Sequence, residues 1–185
     1  AWVRTVTDRV DVLINNAAKQ GPIRPLWKND WSAWLSTLQV NLRSPVALCR
    51  AMVPGMIEGG TGGSIINISG GGATSPRANF TAYATAKTGL IRFSETLAEE
   101  LRPHGVRVNS IAPGAMNTAM LAEIVDQGAD VAGHKEYTEA AKVQQAGGAS
   151  MQRVADLCVF LASDLTRDIT GKLISAVWDP WTSFP

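Results

Sequence analysis

The feature that most constrains this chain is an alternation. Short, nearly all-apolar runs bounded by glycine, proline or polar residues are separated by long segments of helical period. The runs are VDVLIN from Val10, SIINIS over Ser64–Ser69, VRVNSI over Val106–Ile111 and KLISAV over Lys172–Val177. They are rich in β-branched residues and too short for stable helices, which predicts strands buried on both faces of a parallel sheet. The segments between them, about Asp30–Ile57, Thr81–Arg102 and Met151–Ala162, are predicted helices. Strand–helix–strand order requires right-handed crossovers, so the expected fold class is α/β: a doubly wound parallel sheet in three α/β/α layers. In such sheets ligands collect outside the carboxyl ends of the strands.

With 185 residues, 45% hydrophobic and 18% charged, the chain suits one packed core. No repeat or linker divides it, so residues 1–185 read as a single domain, with residues 115–150 as a lid over the site. No apolar run approaches the ~20 residues of a bilayer span. Seventeen basic residues stand against sixteen acidic ones with no block of like charge. Neither nucleic acid nor a membrane is therefore an expected partner. Cys49 and Cys158 sit in apolar helical patterns and read as reduced, buried thiols of a cytoplasmic protein. His104 and His134 share no spacing with other ligand types, so no metal site is expected.

Two patterns carry chemistry. Gly70–Gly72 follows a strand directly at its carboxyl end, where bare backbone lets a ligand approach closely. Tyr83 and Lys87 are four apart on one helix face, so an ammonium beside the phenol is expected to favour its ionised form and let it exchange a proton near neutral pH. A hydrolase built on Ser69 has little support, because no strand-turn G-x-S-x-G elbow and no ordered acid and histidine accompany that serine.

Taken in order, NNAA at Asn15–Ala18, VNL at Val40–Leu42, YATAK at Tyr83–Lys87, APG at Ala112–Gly114, and FLASD with the ITG of Ile169–Gly171 resemble the motifs of the short-chain dehydrogenase/reductase family. The resemblance implies a Rossmann-type fold, NAD or NADP as cofactor, and interconversion of an alcohol and a carbonyl on a small organic substrate. It further implies Tyr83 as general acid/base, Lys87 on the nicotinamide ribose, and Asn41 holding a water that links Lys87 to solvent. Asn15, Ala17 and Ala18 would pack by the cofactor ribose, and Pro113, Gly114 and Thr118 would face the nicotinamide amide. A homo-oligomer, dimer or tetramer, would form through the two long helices.

Several positions depart from the family. Ala18 stands where glycine is usual, which is tolerable if its φ is negative. The serine that polarises the substrate oxygen stands thirteen positions ahead of the tyrosine, and here that position is Gly70. Ser69 is adjacent, but successive strand side chains point to opposite faces. Ser69, Thr74 or a water over the glycines is expected to substitute, against a typical ~10²–10³-fold cost of losing such a donor. The family's T-G-x-x-x-G-x-G phosphate loop and its first strands would precede Ala1, and the opening AWVRTVTDR reads as the last turns of a helix. The choice between NAD and NADP would lie upstream too. WDPW at Trp178–Trp181 replaces the usual D-G-G and is read as facing either a partner subunit or the core. The segment 115–150, which varies with substrate in the family, carries Met116, Met120, Leu121, His134 and Tyr137. Its methionines favour an apolar or mixed substrate, and a helical apolar stripe packed on the core explains them as well. A redox-inactive binding or structural subunit, or a lyase on the same fold, is the alternative, since fold does not fix function.

Overall fold

The computed structural model describes residues 6, 7 and 9–184; the helical end expected over residues 1–9 falls mostly outside them. In chain order run β1 (Val12–Asn15), α1 (Trp31–Leu38), α2 (Ser44–Glu58), β2 (Gly63–Ile68), α3 (Thr81–Leu101), β3 (Val106–Ala112), α4 (Ala119–Gln127), α5 (Ala129–Ala132), α6 (His134–Ala146), α7 (Met151–Ala162) and β4 (Leu173–Ser175). The strands pair in parallel in the order β1-β2-β3-β4.

The alternation of side chains along each strand explains the three layers. Ile65, Val106 and Val108 pack on one face against Cys49 and Met56 of α2 and Ala98 and Leu101 of α3. Ile66, Ile68, Ile111 and Ile174 pack on the other against Leu157 and Leu161 of α7 and against Trp181. The α/β/α expectation holds, and α7 has the bounds read from its period.

The departures are local. β1 is not buried on both faces: it is the edge of the described sheet, and Val12 and Ile14 are 37% and 45% exposed. Ser69 lies one residue beyond β2, and β4 stops at Ser175, whose N–H donates to Asp179 Oδ2 at 2.7 Å as the chain turns. The helix expected over Asp30–Ile57 begins after Asp30, whose carboxylate accepts from Ala33 N at 2.7 Å as an N-cap. It is interrupted at Gln39–Arg43 by a wider π turn, a kind of irregularity frequent at functional sites. The WDPW segment divides: Trp181 is 6% exposed and packs 5.8 Å from Phe160, whereas Trp178 is 85% exposed. Cys49 is buried as expected, but Cys158 only partly. No described helix is long and apolar enough to cross a membrane, and no described cluster could hold a metal ion.

Candidate active site

A cavity of ≈ 650 Å³ opens where the carboxyl ends of β2, β3 and β4 meet the helices of 115–150. Ser69, Gly70, Thr74, Tyr83, Pro113, Gly114 and Thr118 line it, with Met116, Met120 and Leu121 from the expected lid. His134 and Tyr137 are not on its wall; Tyr137 packs instead against the cluster of Ile23, Phe80, Leu121 and Ile124. Asn15, Ala17, Ala18, Asn41 and Lys87 lie outside the lining as well. A second depression of ≈ 610 Å³ gathers Arg24, Lys28, Asp30, Glu123 and Asp126 and contains none of the candidate residues.

Tyr83 is only 7% exposed, and its hydroxyl lies directly over Gly70. A Cβ added at Gly70 would stand 2.3 Å from Tyr83 Oη and 3.1 Å from Cζ. The absence of a side chain at position 70 is thus what admits the phenol here. A serine would have to displace it.

The electrostatics correct the expectation from sequence. Burial raises the Tyr83 phenol above its ordinary value, Arg77 alone pulls it back, and Lys87 exerts no resolved pull. Lys87 is itself buried, which pushes its ammonium down to about 8. Its Nζ donates to the Ile68 carbonyl at 2.7 Å and stands 5.7 Å from the Tyr83 ring centroid. Four residues on a helix do bring the two side chains to one face. The carbonyl at the end of β2 then claims the ammonium, a competitor that spacing alone does not reveal.

Asn15 and Asn41 are fixed by neighbours. Asn15 Nδ2 donates to Asn67 Oδ1 at 2.7 Å, and Asn67 Nδ2 donates to Ser94 Oγ at 2.8 Å, a buried chain joining β1, β2 and α3. Asn15 Oδ1 has no partner. Asn15 also donates weakly to Cys49 Sγ at 3.8 Å, and burial pushes that thiol up to about 11. Asn41, fully buried in the π turn, accepts from Lys19 N at 2.9 Å and donates to Lys19 O at 2.8 Å, which clamps the segment after Ala18. Ala18 does not need a positive φ, so its methyl is tolerated as expected. Thr118 caps α4, its hydroxyl accepting from Leu121 N at 3.3 Å. Ser69 is 3% exposed, and its Oγ is buried without a partner.

Reading the sequence missed Gln20, Arg77, Glu136 and Glu139, all on the cavity wall. Arg77 left one signal, a lone cation in the loop between the glycines and the tyrosine. The others depend on how the 115–150 helices dock.

The family described as "Enoyl-(Acyl carrier protein) reductase" matches residues 1–176. The chain belongs to the short-chain dehydrogenase/reductase family. It is 31% identical over 165 residues to a "Dehydrogenase/reductase SDR family member 4" of Pongo abelii, covering 89% of this chain and 57% of that protein. It is 30% identical over 168 residues to the 3-oxoacyl-[acyl-carrier-protein] reductase FabG of Thermotoga maritima, covering 90% and 64%. The chain thus spans roughly three fifths of these relatives. Among solved structures, carveol dehydrogenase from Mycobacterium avium in complex with NAD superposes with a TM-score of 0.79 at 27% identity, over 94% of this chain and 65% of that one. A Beutenbergia cavernae chain solved with bound NADP superposes with a TM-score of 0.79 at 29% identity, over 92% and 66%.

Proposed function

We propose that this chain carries the catalytic part of an NAD(P)-dependent oxidoreductase that interconverts an alcohol and a carbonyl on a small organic substrate, with Tyr83 as general acid/base. The observation that carries the reading is the Tyr83 hydroxyl at the cavity, over bare backbone at Gly70, with Lys87 one turn behind it. In reduction the phenol donates its proton to the substrate oxygen; in oxidation Tyr83 Oη receives the proton of the alcohol. Burial favours the neutral phenol, the form that donates.

The residues present fit the nicotinamide end of the cofactor. Pro113, Gly114 and Thr118 offer one cavity wall, and the unpartnered Asn15 Oδ1 offers an acceptor at the β1 tip. When bound, NAD(P) supplies or accepts the hydride. Asn15, Ala17 and Ala18 would lie along its ribose, and Lys87 would bind the ribose once released from Ile68. Asn41 would hold the water behind Lys87, and Ser69, whose hydroxyl lacks a partner, is the candidate to replace the missing serine. The same reading covers a single domain over 1–185 with residues 115–150 as the substrate lid, a homo-oligomer built on α2 and α3, and a reducing, cytoplasmic setting that suits two free cysteines.

One observation favours the alternative of a redox-inactive subunit or a lyase: Tyr83 Oη fills the room a serine at position 70 would need. Fluorescence titration of the full-length protein with NADH and NADPH separates the readings. Saturable binding of either supports the oxidoreductase, and binding of neither overturns it.

A further inference from the structure

Arg77 lies in the loop between Gly70–Gly72 and α3, on the cavity wall. Its Nε donates to Glu136 Oε2 of α6 at 2.7 Å, and the two side chains are only 14% and 21% exposed. Its guanidinium carbon stands 3.8 Å over the ring centroid of Phe80, a fully buried residue, and 6.0 Å from that of Tyr83. The side chain runs along the glycines. A Cβ added at Gly72 would be 3.1 Å from Arg77 Cβ, and one added at Gly71 would be 3.8 Å from Nη1. Gly70, the next residue back, carries the Tyr83 hydroxyl. Phenol and guanidinium therefore rest on successive positions of one bare stretch of backbone.

Such a cation is more than a surface charge. The carboxylate on one edge and the aromatic face beneath hold its plane in one orientation. Partial burial lowers the local dielectric and lengthens the reach of its field. An arginine also keeps its charge where burial weakens a lysine, as it does Lys87.

We infer that Arg77 is a positioning residue for the acid–base tyrosine: oriented by Glu136 and Phe80, its guanidinium faces Tyr83 across the triple-glycine loop and stabilises the phenolate. The inference rests on the proposed role of Tyr83. It gives Arg77 an electrostatic part on the phenol beside that of Lys87, whose ammonium stands 5.7 Å from the same ring and donates to the Ile68 carbonyl. The other charges around the phenol are Lys87 behind it, Glu136 paired to Arg77, and Lys135, Glu139 and Asp179 on the cavity wall. Because Glu136 belongs to α6, docking of the 115–150 helices would also set the acidity of the tyrosine.

The chain has two tyrosines, Tyr83 and Tyr137; Tyr137→Phe removes the second, and the resonance lost in Tyr83→Phe assigns the phenol to follow. The test is a pH titration of ¹³Cζ-tyrosine in the full-length protein carrying Tyr137→Phe, alone and with Arg77→Met or Arg77→Lys. Arg77→Met is expected to lower the phenolate fraction at a given alkaline pH by on the order of threefold to tenfold, and Arg77→Lys to restore most of it. An unchanged titration in Arg77→Met, or equal shifts in the Met and Lys variants, overturns the proposal. Should Arg77→Met fail to fold, Glu136→Gln decides. It keeps an acceptor for Nε while removing the opposing charge, so the phenolate fraction must rise, and no change or a fall overturns the proposal. The titration needs no turnover. Failure of the Tyr83 reading would appear separately, as full activity in Tyr83→Phe.

Discussion

The two walls of the cavity are held by different means. The wall made by β2, β3 and α3 is fixed by buried hydrogen bonds: Asn15 to Asn67 to Ser94, and Lys87 to the Ile68 carbonyl. Each of these groups is almost wholly removed from water. The opposite wall consists of α4, α5 and α6, short helices joined at Gly128 and Gly133, whose φ values of 76° and 92° disfavour side chains. That wall meets the rest of the site through a small cluster around Phe80 and Ile124, the Arg77–Glu136 pair and the bond from Asn79 Nδ2 to Val131 O. Proton transfer needs groups held to within fractions of an ångström, whereas substrate entry needs a wall that opens at low cost. The chain has put its candidate acid–base group on the stiff wall and its apolar lining from Met116, Met120 and Leu121 on the soft one.

The sharpest way to break this division is to remove the chemistry from the stiff wall and leave its packing. Tyr83→Phe deletes one oxygen, and kcat is expected to fall by ~10²–10⁴-fold with little change in melting temperature. A loss below tenfold would show that the stiff wall does not carry the proton. Next in size is Asn67→Ala, which leaves the Asn15 amide without its acceptor and opens a space in the β2 layer. About 2–3 kcal/mol of unfolding free energy should be lost in denaturant titration. A loss under 1 kcal/mol would mean that these bonds do not stiffen the wall.

Lys87 gives a pH signature of the same wall. Its ammonium is favoured less in the folded chain than in the unfolded one, so between about 8 and the ordinary lysine value the unfolded chain binds more protons. Stability must therefore rise with pH in that window as the cost of the buried charge fades; below pH 8 the cost is present in full. Relative to Lys87→Met, the parent protein should gain about 2 kcal/mol between pH 8 and pH 10. Parallel stability curves for the two proteins would mean that the ammonium is hydrated.

The same contrast explains what was legible in the sequence. The stiff wall could be read because it is made of periodic elements: strand runs such as SIINIS and the helix carrying Tyr83 and Lys87 have apolar patterns that point to one answer. What escaped reading were side-chain choices among competing partners. Lys87 selects the Ile68 carbonyl over the phenol, Asn15 turns to Asn67, and Trp178 and Trp181 take opposite environments three residues apart. The soft wall was legible only as a segment. Its helices are short and weakly patterned, so nothing in their spacing says that Glu136 meets Arg77 or that Tyr137 stays off the cavity.

The smallest expected effect tests the division most directly, by making the same cut in both walls. Ile66 of β2 is fully buried and Ile124 of α4 is 5% exposed, so Ile→Val removes one buried methylene in either place. Each substitution should cost about 0.5–1.5 kcal/mol by transfer and cavity terms. Hydrogen exchange should nevertheless separate them. Ile66 is bound into the sheet, so its loss lowers protection across β2, β3 and α7 together, as in global unfolding. Ile124 belongs to a cluster that can open without the sheet, so Ile124→Val should speed exchange in α4–α6 by roughly tenfold, the equivalent of about 1.4 kcal/mol, and leave the strands unchanged. If Ile124→Val instead lowered protection throughout, the 115–150 helices would be part of the cooperative core. They could not then act as a lid independent of the strands that hold Tyr83.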